Sequence, residues 1–469
     1  MHGYIAYDRG HASLRAPGNS LATAERAEEF GLSPQTPEAS RLFGQLVRGF
    51  FGTAGLRGAS MVLSFGATTL LARHFGPTDF GVYSLALATA TLLSVPTDLG
   101  LTRLVVREVS RYHVRENWGL MRGLISRSNQ IVIAASGACC IGLIAWLFLR
   151  RDQGNHEIDL AFAIAFLLIP LVTLGRLRDA VLRGLDHIFQ GQIPETLIRP
   201  AFFVTMIGGV LIFGDLRPWS ALALNVLSAI VALAAGSWML LRQLPQELRN
   251  VRPAYEMAAW LRALLPLSLI GGLDAVNNQA DLIVIGIYRS AGDVGTYRSA
   301  SLISMQIGII LTLMNVVLAP AISRMYHSNA HDELRRLARR SMIFVAGSSL
   351  PLVLICIFYG RALLSIIFGS PYVSAYMVLV ALALGQMVNV LVGSVGLILN
   401  MTGHEKDVAI AGAVAAVGNL ALNFVLVPSF GIEGAAWATA SSLVVANVMM
   451  FWAVKRRLNI IMLPWPTKS

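Results

Sequence analysis

The sequence predicts an all-α polytopic membrane protein, with about twelve transmembrane helices in two parallel-repeat six-helix lobes around a central cavity. Three observations carry this. Residues are 55% hydrophobic and only 13% charged, with a mean hydropathy of +0.63, whereas soluble domains carry about 25% charged residues. Apolar runs of span length recur along the chain, and no alternating ten-residue pattern of a membrane barrel interrupts them. Finally, Asp79, Gly81, Tyr83 and Ala86 return as Asp293, Gly295, Tyr297 and Ala300, each at an offset of 214 residues.

The elements follow in order. Residues 1–40 are polar, with Pro17, Pro34, Pro37 and the charged patch Glu25–Glu29, and read as a mobile cytoplasmic tail. No apolar core of a cleavable signal segment stands in it. From Arg41, the residues Leu42, Phe43, Leu46, Val47, Phe50 and Phe51 share one helix face, which suits an interfacial helix feeding the first span. Expected spans are 53–73, 81–102, 129–149, 158–175, 197–214 and 218–241, then 261–288, 297–320, 341–359, 373–399, 408–427 and 431–454. An even number puts both termini on one side. Of 37 Lys and Arg, 29 fall in the termini and the loops of that side, seven on the other, and Arg57 lies within span one. The excess marks the cytoplasm.

Six spans separate the repeat copies, so both have the same orientation and are related by an axis along the membrane normal. The lobes are then 41–249 and 250–458, followed by a tail at 459–469. The net charge of +11 is spread over alternate loops, which excludes a nucleic-acid footprint. Cys139, Cys140 and Cys356 lie within apolar spans and are expected as small hydrophobes, without a disulfide. There is no P-loop, no His-Glu-x-x-His motif and no nucleophile elbow, so an enzyme or an ATP-driven pump is not expected.

One span breaks its own composition. Asp274, Asn277, Asn278 and Asp281 stand at i, i+3, i+4 and i+7 in span seven, which places them on one helix face. A carboxylate near a bilayer centre costs about 2.5–3.5 kcal/mol even on the mild insertion scale. The stripe therefore predicts a watered cavity; helix–helix hydrogen bonding is the competing reading. Arg57, one turn into span one, either clamps an anion bidentately or snorkels to the interface. Arg176 and Arg178 end span four and Arg298 opens span eight. Asp98, at the inner end of span two, is placed to pair with an arginine in a gating or structural role, and Asn315, Asn389, Asn419 and Asn423 read mainly as packing. Arg103, Arg107, Arg111 and Arg115 fall every four residues among Leu104, Val105, Val106 and Val109, a basic stripe suited to anionic inner-leaflet lipid.

Three runs carry a family likeness: Leu71–Ser84 followed by Asp98-Leu99-Gly100-Leu101; Asp281–Gly286 leading to Gly295-Thr296-Tyr297; and Asn419–Asn423 followed by Pro428, Gly431 and Gly434-Ala435-Ala436. The chain resembles the polysaccharide-synthesis (O-antigen and exopolysaccharide) flippases of the multidrug/oligosaccharidyl-lipid/polysaccharide exporter superfamily. The resemblance implies an undecaprenyl-diphosphate-linked oligosaccharide as substrate, moved to the outer leaflet of the cytoplasmic membrane by alternating access, with polysaccharide polymerase and export machinery as partners. On that reading Asp274, Asn277, Asn278 and Asp281 meet sugar hydroxyls or a coupling cation, H+ or Na+, Arg57 is the candidate for the diphosphate, and Arg298 is a further substrate-binding candidate that also reads as a topology signal. No other cofactor is implied. The rivals are a cation-coupled drug exporter of the same superfamily and a polytopic polymerase or glycosyl transferase; the latter needs a large outer loop that the spans do not leave.

Overall fold

The computed structural model describes the backbone of residues 37–149 and 155–459, and side chains from residue 55 onward except Phe213, Arg249, Leu265, Pro266, Leu269, Ile270 and Asp274. The expected N-terminal tail, short of its last four residues, and most of the C-terminal tail lie outside the described residues. Among the described residues all regular elements are helices: α1 Pro37–Asp98, α2 Leu101–Val114, α3 Trp118–Leu149, α4 His156–Phe166, α5 Leu168–Gly184, α6 Ile188–Ile193, a π turn Pro194–Ile198, α7 Arg199–Phe213, α8 Pro218–Gln243 and α9 Glu247–Asn250. The second half continues with α10 Met257–Tyr288, α11 Ala291–Ile307, α12 Ile309–His327, α13 His331–Phe358, α14 Gly360–Ile367, a 3-10 turn Ser370–Ala375, α15 Tyr376–Val392, α16 Val395–Met401 and α17 Glu405–Leu458.

Nine segments among the described residues are long and apolar enough to cross a membrane. Two of them are pairs of helices meeting at a glycine: Gly76 in α1 (φ 68, ψ 177) and Gly431 in α17 (φ 61, ψ −139). Glycine tolerates this left-handed backbone, and the nearby Pro77 and Pro428 lack a helical donor. Splitting those two and adding the 32-residue α10 makes twelve spans.

Three expected boundaries are corrected. Span four does not end at Arg176 and Arg178: α5 continues to Gly184, because Arg176 reaches Ser94 Oγ (3.4 Å) and Arg178 donates to Asn129 Oδ1 and Ser237 Oγ. A charge with partners no longer marks a helix end. Span eight begins at Ala291 and breaks at Gly308 into α11 and α12, with the Ser349 hydroxyl donating to the Ile307 carbonyl (3.1 Å). Span ten is interrupted at Gly393 (φ 75), where a Cβ would lie 3.2 Å from the Met342 side chain.

The expected use of α2 against lipid is also corrected. Its Leu104, Val105 and Val109 have no exposed surface and pack within the first lobe, so its apolar face is spent on protein. Arg107 and Arg111 stay about half exposed and both pair with the buried Glu108 (3.0 and 2.9 Å).

Three apolar cores position the site. One joins both lobes: Leu71, Phe80 and Tyr83 from the first with Ile285, Tyr297 and Tyr372 from the second. The other two are separate, one built on α2, α3, α5 and α8 with Trp260 and Leu264 of α10, the other on α12, α13, α16 and the end of α17. The lobes thus share one core at the end carrying the Gly76 turn; at the end carrying α2 the core of the first lobe takes in Trp260 and Leu264 of α10, while the second lobe has a further core of its own. At the Gly76 end, Tyr372 Oη donates to the Ala72 carbonyl (2.8 Å) and Arg73 to the Ile366 carbonyl (2.7 Å). The repeat-related Gly81 and Gly295 meet there. A Cβ on Gly81 would stand 1.7 Å from Ala291 O, and one on Gly295 would stand 2.0 Å from Pro77 O.

A second repeat signature appears in the hydrogen bonds. Asn225 Nδ2 donates to Tyr83 Oη in the first lobe (3.1 Å), and Tyr297 and Thr439 hydroxyls meet in the second (3.3 Å). Both residue pairs are related by the offset of 214. At the α2 end, the connector between lobes is docked on the first lobe: Ala254 N donates to Gly119 O (2.9 Å), and Arg122 donates to the carbonyls of Leu248 (3.2 Å) and Val251 (2.7 Å). Tyr112 Oη accepts from Trp260 Nε1 (3.1 Å) and faces Glu256 (3.3 Å); burial raises this phenol above its usual range.

Candidate functional site

Between the lobes, toward the α2 end, lies a cavity of about 510 Å³. The first lobe contributes Thr91, Val95 and Asp98 of α1, Gly100 with Thr102 and Arg103 of α2, and Arg176 of α5. The second contributes Leu267, Ser268, Gly271, Ala275, Asn278 and Gln279 of α10, with Arg298 and Met305 of α11. Its charges are three guanidinium groups against one described carboxylate. That carboxylate is engaged locally: Asp98 Oδ1 accepts from the Thr102 hydroxyl (2.6 Å) and amide (3.3 Å), capping α2 across a turn with Leu99 at φ 49 and Gly100 at φ 74. Gly100 is needed there on a second count, since a Cβ would stand 2.6 Å from Ser268 N. The site is therefore a cationic chamber with hydroxyl and amide walls, suited to a doubly charged anion carrying hydroxyl groups.

The expected residues separate. Asn278, Arg298, Arg176 and Asp98 line the cavity. Arg57 is exposed on α1 and Asn277 is exposed on α10, and neither lines it. The Asp274 side chain lies outside the described residues. Arg178 is held inside the first lobe, as above.

Asp281 departs from the expected shared face. It is only 8% exposed and points into the second lobe. Its Oδ2 accepts from Tyr297 Oη (2.7 Å) and Thr439 Oγ1 (2.6 Å), and its Oδ1 from Asn423 Nδ2 (2.8 Å). Asn423 also contacts Asn419 on the same helix, and its own Oδ1 is buried without a partner. No lysine or arginine pairs with Asp281 among the described residues. The reason for the split is depth: Asp281 lies one turn beyond Asn278 toward the Gly76 end, where the lobes share one core and leave no cavity to face. Asn389 hydrogen-bonds Gln386 (3.1 Å), and Asn315 leaves Oδ1 buried and unpartnered on α12.

Sequence reasoning missed Arg103 and Gln279 as cavity residues, and Thr439 and Tyr297 as partners of Asp281. Arg103 was visible only as part of a surface stripe. Tyr297 stood in the repeat, a signal of architecture rather than chemistry. Among the described residues no group of three or more His, Cys, Asp or Glu side chains is placed to hold a metal ion, and the three cysteines are free thiols.

Two helical lobes that share a core at one end and enclose a charged chamber toward the other make a multi-pass membrane architecture. Residues 46–326 match the family described as Polysaccharide biosynthesis protein, and the chain belongs to that family. Residues 266–425 also match the MatE family. A putative O-antigen transporter of Shigella flexneri is 23% identical over 83% of this chain and 93% of its own length. A probable low-salt glycan biosynthesis flippase, Agl15, of Haloferax volcanii is 27% identical over 82% of this chain and 79% of its own. Among solved structures, an inward-facing multidrug-resistance MATE family transporter of the MOP superfamily superposes with a TM-score of 0.67 at 15% identity, covering 87% of this chain and 98% of that one. The lipid II flippase MurJ, in an inward closed conformation, gives 0.61 at 14%, covering 84% and 86%. At such identities these two structures speak for the fold alone, which is the two-lobed architecture expected from the repeat.

Proposed function

We propose that the protein flips an undecaprenyl-diphosphate-linked oligosaccharide from the cytoplasmic to the periplasmic leaflet of the inner membrane, for cell-surface polysaccharide assembly, by alternating access. The observation that carries the reading is the chamber with Arg103, Arg176 and Arg298 and one self-capped carboxylate. A diphosphate diester carries two negative charges, and burying one unpaired ion in a low-dielectric medium costs on the order of 20 kcal/mol in the idealised limit. Guanidinium groups, which match phosphate bidentately, offset that cost while the lipid tail stays in the bilayer. The charge asymmetry of the loops supports a cytoplasmic location for both termini and the α2 end. The Gly76 end is then the closed outer side, and the chamber receives its cargo from within.

A drug exporter for amphipathic cations is disfavoured by the same chamber, whose described charges repel such cargo. For coupling, the Asp281 centre is the candidate. A buried carboxylate without a cationic partner calls for a proton or a small cation. Carboxylate, hydroxyl and unspent amide oxygens from Asp281, Thr439, Tyr297 and Asn423 are the hard ligands Na+ would take.

The test is deletion of the gene and identification of the intermediate that builds up. A lipid-linked glycan retained on the inner leaflet is expected, restored to flow by the wild-type chain but not by Arg176→Gln or Arg298→Gln. Normal surface glycan in the deletion strain together with raised drug sensitivity would overturn the flippase reading.

A further inference from the structure

A second polar group stands on α15 of the second lobe, outside the lining of the guanidinium chamber. Gln386 and Asn389, one turn apart on α15, hydrogen-bond to each other, Asn389 Nδ2 donating to Gln386 Oε1 (3.1 Å). They flank the break between α11 and α12. A Cβ on Gly308 would lie 3.4 Å from Gln386 Oε1 and 4.0 Å from Asn389 Nδ2. Gln306 stands beside the same break and spends its amide on the Leu302 carbonyl (2.9 Å).

These amides keep unspent capacity. Each carries two donor hydrogens and an acceptor oxygen, yet Gln386 Nε2, Asn389 Oδ1 and Gln306 Oε1 meet no partner among the described residues. All three residues are partly exposed rather than buried. An unsatisfied amide in hydrocarbon costs several kcal/mol, so such groups persist where water or a ligand reaches them. The position fits. Arg298 and Met305 line the chamber on α11, seven residues apart on one face, and Gly308 lies on the next turn of that face. The α15 amides therefore stand beside α11 one turn beyond Met305, on the side away from Arg298.

We infer that Gln386 and Asn389, beside the Gly308 break, form a saccharide subsite for an uncharged sugar of the cargo, while the guanidinium groups hold its diphosphate; this rests on the flippase reading above. Amides donate and accept at once, as sugar hydroxyls do, and neither carries a charge, so the subsite supplies no counter-ion to an acidic sugar.

The experiment compares two probes on the purified full-length protein: undecaprenyl diphosphate without sugar, and the glycan-bearing lipid extracted from the deletion strain. Gln386→Met and Asn389→Leu keep side-chain volume and remove the amide. We expect each to weaken the glycan-bearing lipid at least tenfold and leave the sugarless lipid unchanged, with thermal stability equal or higher. Arg298→Gln is expected to weaken both lipids alike. Equal affinity of the amide variants and the wild type for the glycan-bearing lipid would overturn the subsite, as would parallel loss of both lipids or a fall in thermal stability, which marks helix–helix glue. Failure of the flippase reading looks different: the wild type itself would bind neither lipid.

Discussion

Adding one methyl group at the glycine crossing should shift the conformational preference of this transporter away from the state in which the Gly76 end is closed. A Cβ at Gly295 would stand 2.0 Å from Pro77 O, and one at Gly81 would stand 1.7 Å from Ala291 O. An ordinary carbon–oxygen contact is about 3.3 Å, so the helices must part by roughly 1.3–1.6 Å. The obstructing atoms are backbone, and neither can rotate away. Overpacking of this kind costs about 1–3 kcal/mol, and it falls only on the state in which the lobes are fused at the Gly76 end. A shift of about 2 kcal/mol moves a two-state equilibrium roughly 30-fold. The assay uses a chain whose three cysteines are replaced by alanine, with one reporter cysteine at a time and a membrane-impermeant thiol reagent. Ala72→Cys reports the outer side, because Ala72 is fully buried and its carbonyl accepts from Tyr372. Ala275→Cys reports the chamber. In the parent we expect Ala72→Cys protected and Ala275→Cys labelled from the cytoplasmic face. Gly295→Ala should raise the first rate and lower the second, the two fold-changes multiplying to about 30, with glycan export lost. Unchanged labelling of both reporters in a well-folded Gly295→Ala protein would refute the reasoning.

Other outcomes follow from the same contacts. Asp281→Asn should keep the fold, since an amide preserves most of the contacts to Tyr297 and Thr439, and abolish the dependence of export on the sodium or proton gradient; export that still tracks the gradient would remove Asp281 from coupling. Tyr297→Phe removes one of three hydrogen bonds to that carboxylate and should weaken cation binding several-fold, read by isothermal titration. Tyr112→Phe deletes the acceptor of Trp260 and the contact with Glu256 at the connector. It should cost about 1 kcal/mol of stability, seen as a lower midpoint of thermal unfolding, with little effect on export because no cavity residue is touched.

Much of the fold was legible because a bilayer imposes one dominant constraint. Every backbone group in hydrocarbon must be satisfied within a helix, so span count and class are written in apolar run length alone. The repeat was legible because Gly81 and Gly295 must both be glycine for the lobes to cross, and identity at a fixed offset survives in the one-dimensional record. Boundaries inside the membrane were less legible. Gly308 and Gly393 break helices in ways that depend on Ser349, Gln386 and Met342, which come from other parts of the chain. A local reading sees only a small residue in an apolar run.

The site divides in the same way. From the sequence alone came the class of protein, two lobes of like orientation, and a polar α10 that demanded a protected environment, because hydropathy and spacing are local quantities. Which environment each polar residue received was decided only by tertiary structure. Asn278 and Asp281 are three residues apart, yet one meets the chamber and the other a closed shell of Tyr297, Thr439 and Asn423. Arg103, Arg176 and Arg298 come together from α2, α5 and α11, where the sequence shows three unrelated charges. Helical periodicity sets the direction of a side chain on its own helix; what stands in that direction depends on the packing of the neighbours, and that is a property of the assembled lobes.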